Sequence, residues 1–176
     1  KIPEHQQPRC ILRFSPGLGN FDALTLLTIS RVRWSSQPFF RGCKLLARTE
    51  QVMALEEARM RGFADAIMCD ESGSWVSTTS GNLFLRVGER FITPPVDEVG
   101  IAGTRREAIL DYWAEMLGYQ VSVRKISLED LALAQEAWCC NSVVGIRRIA
   151  AVDHFTFTET TASDALSACI HREKTL

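Results

Sequence analysis

The sequence predicts a mixed α/β domain in which short strands alternate with amphipathic helices. Two observations point to this class. Several apolar, β-branched runs of strand length lie between turn-forming residues, and several longer segments carry apolar residues at helical spacing. The chain has 176 residues, of which 46% are hydrophobic, so it can bury one substantial core. Such a mixture is typical of α/β and α+β domains.

Strands are predicted wherever apolar and β-branched residues run between glycine, proline, serine or acidic turn signals. The runs in the middle of the chain are close together and form a meander of hairpins. Pro94 and Pro95 end that meander, because proline cannot donate a hydrogen bond to a sheet. The predicted strands are residues 9–14, 24–32, 64–69, 75–77, 82–87, 90–93, 119–124, 136–140 and 149–157.

Four helices are predicted: residues 45–61, 104–117, a short one from Ser127, and 161–172. Gly62 and Gly118 follow two of them and are plausible helix ends. The short helix has the pattern of a capping box, with Asp130 in the place of the usual Glu or Gln. The expected buried face of the first helix consists of Leu46, Val52, Met53, Leu55 and Met60. That of the last helix consists of Ala162, Ala165, Leu166 and Ile170.

Composition argues against several classes of function. The net charge is −1 and the charges are interspersed, so no basic surface for nucleic acid or for an anionic membrane is expected. No apolar run is long enough to span a bilayer. None of the six cysteines forms a C-x-x-C pair or a zinc-like spacing. We expect Cys139 and Cys140 to be buried free thiols and the protein to be cytoplasmic.

Lys44 is the first candidate for chemistry. It follows Gly42 and Cys43 and stands at the entry to an apolar run, where a lysine can lose part of its hydration. Burial favours the neutral amine, which Schiff-base formation requires. The alternative is an ordinary solvated surface lysine.

Three further segments could bind a ligand. Residues 77–82 form either a hydroxyl-lined wall or a polar turn. Residues 99–107 form either an anion site at a helix start or an ordinary loop, and they match neither a Walker A loop nor a dinucleotide fingerprint. Residues 140–146 form either a strand-end bulge or a loop from which Ser142 could donate to a phosphate.

The motifs occur in a recognisable order. Gly-x-Lys-x-Leu-x-Arg-x-Glu-x-Val is followed by a hydroxyl-rich turn into Asn-Leu-Phe, then Gly-Ile-Ala-Gly-x-x-Arg, then Asn-Ser-x-x-Gly-Ile. Over about residues 27–152 this order resembles the fold-type-IV pyridoxal-phosphate enzymes, and among them the lyases that act on 4-amino-4-deoxychorismate. The resemblance implies a barrel-like mixed sheet with flanking helices, and a homodimer.

The resemblance also implies two domain assignments. Residues 26–176 would be the domain that binds pyridoxal 5'-phosphate. Residues 1–25 would be a linker and first strand from a preceding small domain, which the sequence does not contain.

The same resemblance implies the site residues. Lys44 would bond covalently to the cofactor and carry the proton in the reaction. Backbone N–H groups of Thr104 and Arg105 would hold the phosphate, Ser142 would contact it, and Ile101 would pack against the ring. The implied cofactor-binding residues are Ser77, Thr79, Ile101, Thr104, Arg105 and Ser142.

Two positions depart from the family pattern. Ser77 stands where relatives place a glutamate on the pyridine nitrogen, and Ala47 stands where they place an asparagine. We hypothesise that Ser77 makes the cofactor a weaker electron sink, which an elimination driven by aromatisation tolerates better than transamination does. An aminotransferase for branched-chain or D-amino acids remains an alternative, as does a non-catalytic interaction protein with this fold.

Overall fold

The computed structural model describes residues 11–13, 25–36, 39 and 43–173. The strands are β1 Thr25–Trp34, β2 Asp65–Asp70, β3 Trp75–Thr78, β4 Asn82–Val87, β5 Arg90–Thr93, β6 Gln120–Val123, β7 Glu136–Asn141, β8 Gly145–Val152 and β9 Phe155–Thr156. The helices are α1 Thr49–Met60, α2 Thr104–Ala108, α3 Ala114–Met116, α4 Leu128–Leu133 and α5 Thr161–Glu173, with a π-helical turn at Ile109–Trp113 between α2 and α3.

Six of these strands close into a barrel. Their order around the ring is β3-β2-β1-β8-β7-β4, and β4 pairs with β3 to complete it. β1 runs parallel to both β2 and β8, and the other contacts in the ring are antiparallel. β5 and β6 extend the sheet from β4, and β9 pairs with β8. The predicted mixed α/β fold with a barrel-like sheet and flanking helices is confirmed.

Two apolar clusters lie on opposite sides of the barrel wall. Alternate residues of a strand point to opposite faces, so β4 and β7 contribute to both clusters. The inner cluster includes Leu83, Leu85, Ala137 and Cys139. The outer cluster includes Phe84, Trp138 and Cys140, which pack beneath α5 and the segment from α2 to α3. Burial on both faces explains why these strands read as nearly continuous apolar runs.

Several sequence predictions agree with the structure. The meander from β2 to β5 is present, and the helix predicted from Thr104 is present with a π-helical turn inside it. Ser127 and Asp130 form the expected capping box. On α5, Ala162, Leu166 and Ile170 are buried and Ala165 is half-buried.

The predicted buried face of α1 is wrong. The helix begins at Thr49, not at Leu45, and its buried residues are Gln51, Ala54 and Ala58. The two alanines pack in one cluster with Ala66 and Met68 of β2, and small side chains allow the helix to lie close to the sheet. The apolar residues expected to be inside are exposed, except for the half-buried Leu55; they are Leu46, Val52, Met53 and Met60.

Two strand predictions also need correction. The strand predicted for residues 149–157 is a hairpin, because Asp153 adopts a positive φ of 49° and turns the chain between β8 and β9. Of the strand predicted for residues 9–14, the described residues 11–13 have no regular structure, and the rest lies outside the described residues. Within the described part of the chain, no helix is long and apolar enough to cross a bilayer.

Candidate active site

A cavity of about 190 Å³ opens at one end of the barrel, where β3 turns into β4 and β7 turns into β8. Its volume suits a small organic molecule rather than a single water. The structure brings six of the seven predicted site residues to its wall: Lys44, Ser77, Thr79, Ile101, Thr104 and Ser142. Arg105 does not line the cavity, and its guanidinium lies over the Trp113 ring at 5.7 Å.

Residues 77–80, called the hydroxyl wall from here on, form one side of the cavity. The turn is closed by a hydrogen bond from Thr78 N to Gly81 O, and Thr78 Oγ1 accepts from Gly81 N. Ser77 Oγ donates to Thr78 O at 2.8 Å, and Thr79 Oγ1 donates to Asp65 Oδ1 at 2.5 Å. The segment is therefore both of the things the sequence allowed: a polar turn and a hydroxyl-lined surface.

Asp65, which sequence reasoning missed, lies behind the hydroxyl wall at the start of β2. It is only 2% exposed. Its Oδ1 also accepts from Ala66 N, and its Oδ2 lies 3.8 Å from Arg147 Nη1. The sequence contains one signal for this residue, an acid within an apolar run. A carboxylate in such a run is expected to be buried, and a buried carboxylate needs hydrogen-bond or charged partners.

Asn82 fixes the loop that precedes α2. Its Nδ2 donates to Ile101 O at 2.8 Å, and its Oδ1 occupies the place where a residue-103 side chain would begin. A Cβ on Gly103 would lie 2.2 Å from that oxygen, which is far inside van der Waals contact. Glycine at this position thus permits the close approach of the loop to β4.

The start of α2 lies at the edge of the cavity, at Gly103 and Thr104. Gly103 precedes the helix, and no side chain caps it. The first N–H groups of a helix have no partner within it, so this edge favours a bound anion. Arg106 adds positive charge behind the loop. It is buried, and burial lowers the pKa of its guanidinium; its Nη2 donates to Pro94 O, whereas Nε has no hydrogen-bond partner within the described residues.

The turn between β7 and β8 forms the opposite side of the cavity. Asn141 Oδ1 accepts from Val143 N and Val144 N, and its Nδ2 donates to Ser80 O. Gly145, with a φ of 74°, completes a hairpin rather than the predicted alternative of a bulge. Ser142 stands on this turn and faces the cavity.

Lys44 reaches the cavity from a segment without regular structure. The expected loss of hydration is wrong for this chain, because Lys44 is exposed and the neighbouring Leu46 is fully exposed. Arg48, which the sequence reasoning did not select, anchors the segment: its Nη2 donates to Thr79 O at 2.6 Å. Arg48 therefore adds a second cation, besides Lys44, to the lining of the cavity.

The cysteines near the site are not candidates for nucleophilic chemistry. Burial raises the pKa of Cys139 to about 12, and it also raises the pKa of Cys140. Both are free thiols, as predicted. The described residues contain no group of three or more His, Cys, Asp or Glu side chains placed to hold a metal ion.

Comparison with known proteins shows the family of the chain. The pattern of the family described as amino-transferase class IV matches residues 5–152. The chain belongs to this family. Among class IV relatives, aminodeoxychorismate lyase of Vibrio harveyi is 35% identical over 126 residues, which covers 72% of this chain and 46% of the lyase. Branched-chain-amino-acid aminotransferase 1, mitochondrial, of Arabidopsis thaliana is 30% identical over 122 residues, covering 68% and 31%.

Solved structures show the same fold. The 4-amino-4-deoxychorismate lyase of Pseudomonas aeruginosa superposes with a TM-score of 0.73 at 30% identity, covering 82% of this chain and 53% of the lyase. An aminotransferase from Brucella abortus bound to the cofactor PLP gives a TM-score of 0.76 at 18% identity, covering 88% and 55%. The chain thus spans about half the length of the proteins that it resembles, or less.

Proposed function

We propose that the chain is the cofactor-binding part of a pyridoxal-phosphate lyase that converts 4-amino-4-deoxychorismate to 4-aminobenzoate and pyruvate, a step towards folate. One observation carries the proposal. Four parts of the chain that are distant in sequence line one cavity: Lys44 with Arg48, and residues 77–82, 101–104 and 140–142. Similarity to the lyases of Vibrio harveyi and Pseudomonas aeruginosa supports the choice of reaction. A homodimer in the cytoplasm is part of the same proposal.

The cavity fits pyridoxal 5'-phosphate by the chemistry of its wall. The uncapped start of α2 at Gly103 and the Ser142 hydroxyl offer donors to a phosphate, and the buried Arg106 adds positive charge nearby. Ile101 offers an apolar surface to a ring. When bound, this cofactor withdraws electrons from the carbon that carries the substrate amine.

Lys44 is the residue we assign to covalent attachment and proton transfer. Its Nζ atom would bond to the cofactor and then, once released, take the proton from the amine-bearing carbon. The same amine would return a proton as the enolpyruvyl group departs. Exposure of Lys44 leaves its amine free to move between these tasks, while Arg48 and Thr79 hold the segment that carries it.

A fold-type-IV aminotransferase is the second candidate. The observation that favours it is the 30% identity with the branched-chain aminotransferase of Arabidopsis thaliana. Against it stand Ser77, in the place of the usual acid, and the Asn141–Ser142 pair, which resembles the lyase version of this loop. A non-catalytic protein with this fold is the third candidate. Absence of covalent cofactor binding would identify it.

The test has two stages. Borohydride reduction of the full chain with pyridoxal phosphate, followed by peptide mass analysis, should place the cofactor on Lys44. Lys44→Ala should abolish trapping. Lys125→Ala is the control and should not, because the Nζ atom of Lys125 pairs with Asp70 outside this cavity. No trapping on Lys44 in the unmodified chain would contradict the proposal.

Product analysis of the longest natural form of the protein should then show 4-aminobenzoate and pyruvate from 4-amino-4-deoxychorismate. Lys44→Ala should lower that rate by a factor of about 10² to 10⁴, the usual contribution of a positioned acid–base group. Formation of glutamate from an amino acid and 2-oxoglutarate, without the aromatic product, would favour the aminotransferase instead.

A further inference from the structure

We propose that Asp65, acting through the hydroxyl of Thr79, turns the hydroxyl wall into a hydrogen-bond acceptor that selects a protonated ring nitrogen. The inference rests on the cofactor of the proposed function. It specifies which protonation state of the ring nitrogen the hydroxyl wall favours. Asp65 is thereby a positioning residue: it does not line the cavity, and the Thr79 hydroxyl that donates to it would stand between it and the ligand.

Within the wall, the hydroxyl protons of Ser77 and Thr79 are already committed. Ser77 Oγ donates to Thr78 O, and Thr79 Oγ1 donates to Asp65. Thr78 Oγ1 is directed at Gly81 O at 3.4 Å and accepts from the N–H groups of Gly81 and Ser80. A hydroxyl has one proton and two lone pairs, so the oxygens of Ser77 and Thr79 can meet a ligand only as acceptors.

Asp65 also supplies charge to this wall. Its position is 2% exposed, and a buried carboxylate acts through a lower effective dielectric than water. A hydroxyl that donates to such a group becomes a better acceptor, because bonded dipoles polarise one another. Arg147 lies 3.8 Å from the other carboxylate oxygen and balances part of this charge, and the neutral thiol of Cys139 also faces the group.

A neutral pyridine nitrogen is itself an acceptor, so it would face oxygen lone pairs across the cavity. A protonated nitrogen would instead donate to them, in a hydrogen bond that carries charge. This changes the expectation drawn from Ser77. A serine in the place of an acid supplies no charge of its own. The structure nevertheless places the buried acid Asp65 behind this wall, joined to it by the Thr79 hydroxyl.

The test compares two ligands on the full chain without substrate: pyridoxal phosphate, and its 1-deaza analogue, in which carbon replaces the ring nitrogen. Equilibrium titration should give the unmodified chain about a tenfold preference for pyridoxal phosphate, as expected for a hydrogen bond to a charged group. Thr79→Val should reduce the ratio towards one, and Thr79→Ser should restore it. Asp65→Asn should lower it several-fold.

Asp70→Asn is the matched control, since Asp70 ends the same strand and bonds to Ser72 and Ser74 outside this cavity. It should keep the full preference. Equal affinities for the two ligands in the unmodified chain, or an unchanged ratio in folded Thr79→Val, would overturn the inference. Circular dichroism identifies unfolded variants, and the Thr79 pair decides the matter if Asp65→Asn does not fold.

These outcomes separate the two proposals. A chain that binds neither ligand overturns both. A chain that binds pyridoxal phosphate with the expected preference, but belongs to a protein without lyase turnover, overturns the reaction and keeps the inference. Lyase turnover together with equal affinities for the two ligands overturns the inference alone.

Discussion

The two ends of the β4–β7 ladder carry buried polar groups that are arranged in opposite ways. At the end away from the cavity, Arg86 lies opposite Glu136. Glu136 is 1% exposed and accepts four hydrogen bonds, from Arg86 Nε, Ala162 N, Ser163 N and Ser163 Oγ. At the other end, Asn82 lies opposite Cys140 and faces an open cavity.

The difference shows how one pair of strands can serve two purposes. The Glu136 end satisfies its donors and acceptors within the protein and ties the start of α5 to the barrel. At the Asn82 end, a few hydrogen bonds hold the loops, and the residues of these loops line an open cavity. We therefore expect substitutions at the first end to lower stability, and those at the second to lower ligand affinity.

Glu136→Gln should have the largest effect on folding. The amide cannot accept all four hydrogen bonds, and it leaves the buried Arg86 without one of its charged partners. We expect the free energy of unfolding to fall by about 3 kcal/mol, which urea denaturation can measure. Affinity of the folded fraction for pyridoxal phosphate should not change. Glu159→Gln is the control: this second partner of Arg86 is 54% exposed, so its loss should cost less than about 1 kcal/mol.

Gly103→Ala should have an intermediate effect, and mostly on the cavity. The new Cβ would meet Asn82 Oδ1 at 2.2 Å, so the loop before α2 must move. We expect a loss of about 1 to 3 kcal/mol, seen mainly as weaker binding of pyridoxal phosphate. Adding Asn82→Ala removes the clash and should recover part of the affinity. A double variant that is as weak as the sum of the single changes would contradict this account.

Asn141→Ala should have the smallest effect. It removes two bonds within the turn and the bond to Ser80 O, which joins the two sides of the cavity. We expect about 1 kcal/mol in affinity for pyridoxal phosphate and little change in melting temperature. Asn141→Asp keeps the acceptor for Val143 N and Val144 N but loses the donor to Ser80. If both variants bind equally weakly, the cross-cavity bond is the one that matters.

Local patterns in the sequence were enough to predict the features that depend only on residues close together along the chain. The capping box at Ser127 and the strands of the meander were predicted because turn chemistry and alternation are local properties. The face of α1 was not, because burial there depends on Ala66 and Met68 of β2. Met53 looked like core, and Ala58 is core, since a close sheet favours the smaller side chain.

The site shows the same division. Lys44, Ser77 and Ser142 were chosen from motifs, and the structure brings them to one cavity. Asp65 and Arg48 were missed because their bonds to Thr79 join residues that are 14 and 31 positions apart. No local pattern predicts such contacts, nor the parallel pairing of β1 with β8.

The barrel closes through the cavity itself. β3 and β4 join at one residue pair, Ser77 and Asn82, and both residues line the cavity. If this seam opened, the edge of β3 would become available to strands of other molecules, which is a common route to aggregation. β5 and β7 would still cover β4. A ligand that bridges Ser77 and the Asn82 loop would hold the seam shut. Occupancy of the cavity should therefore determine how long the purified chain survives in storage without precipitating.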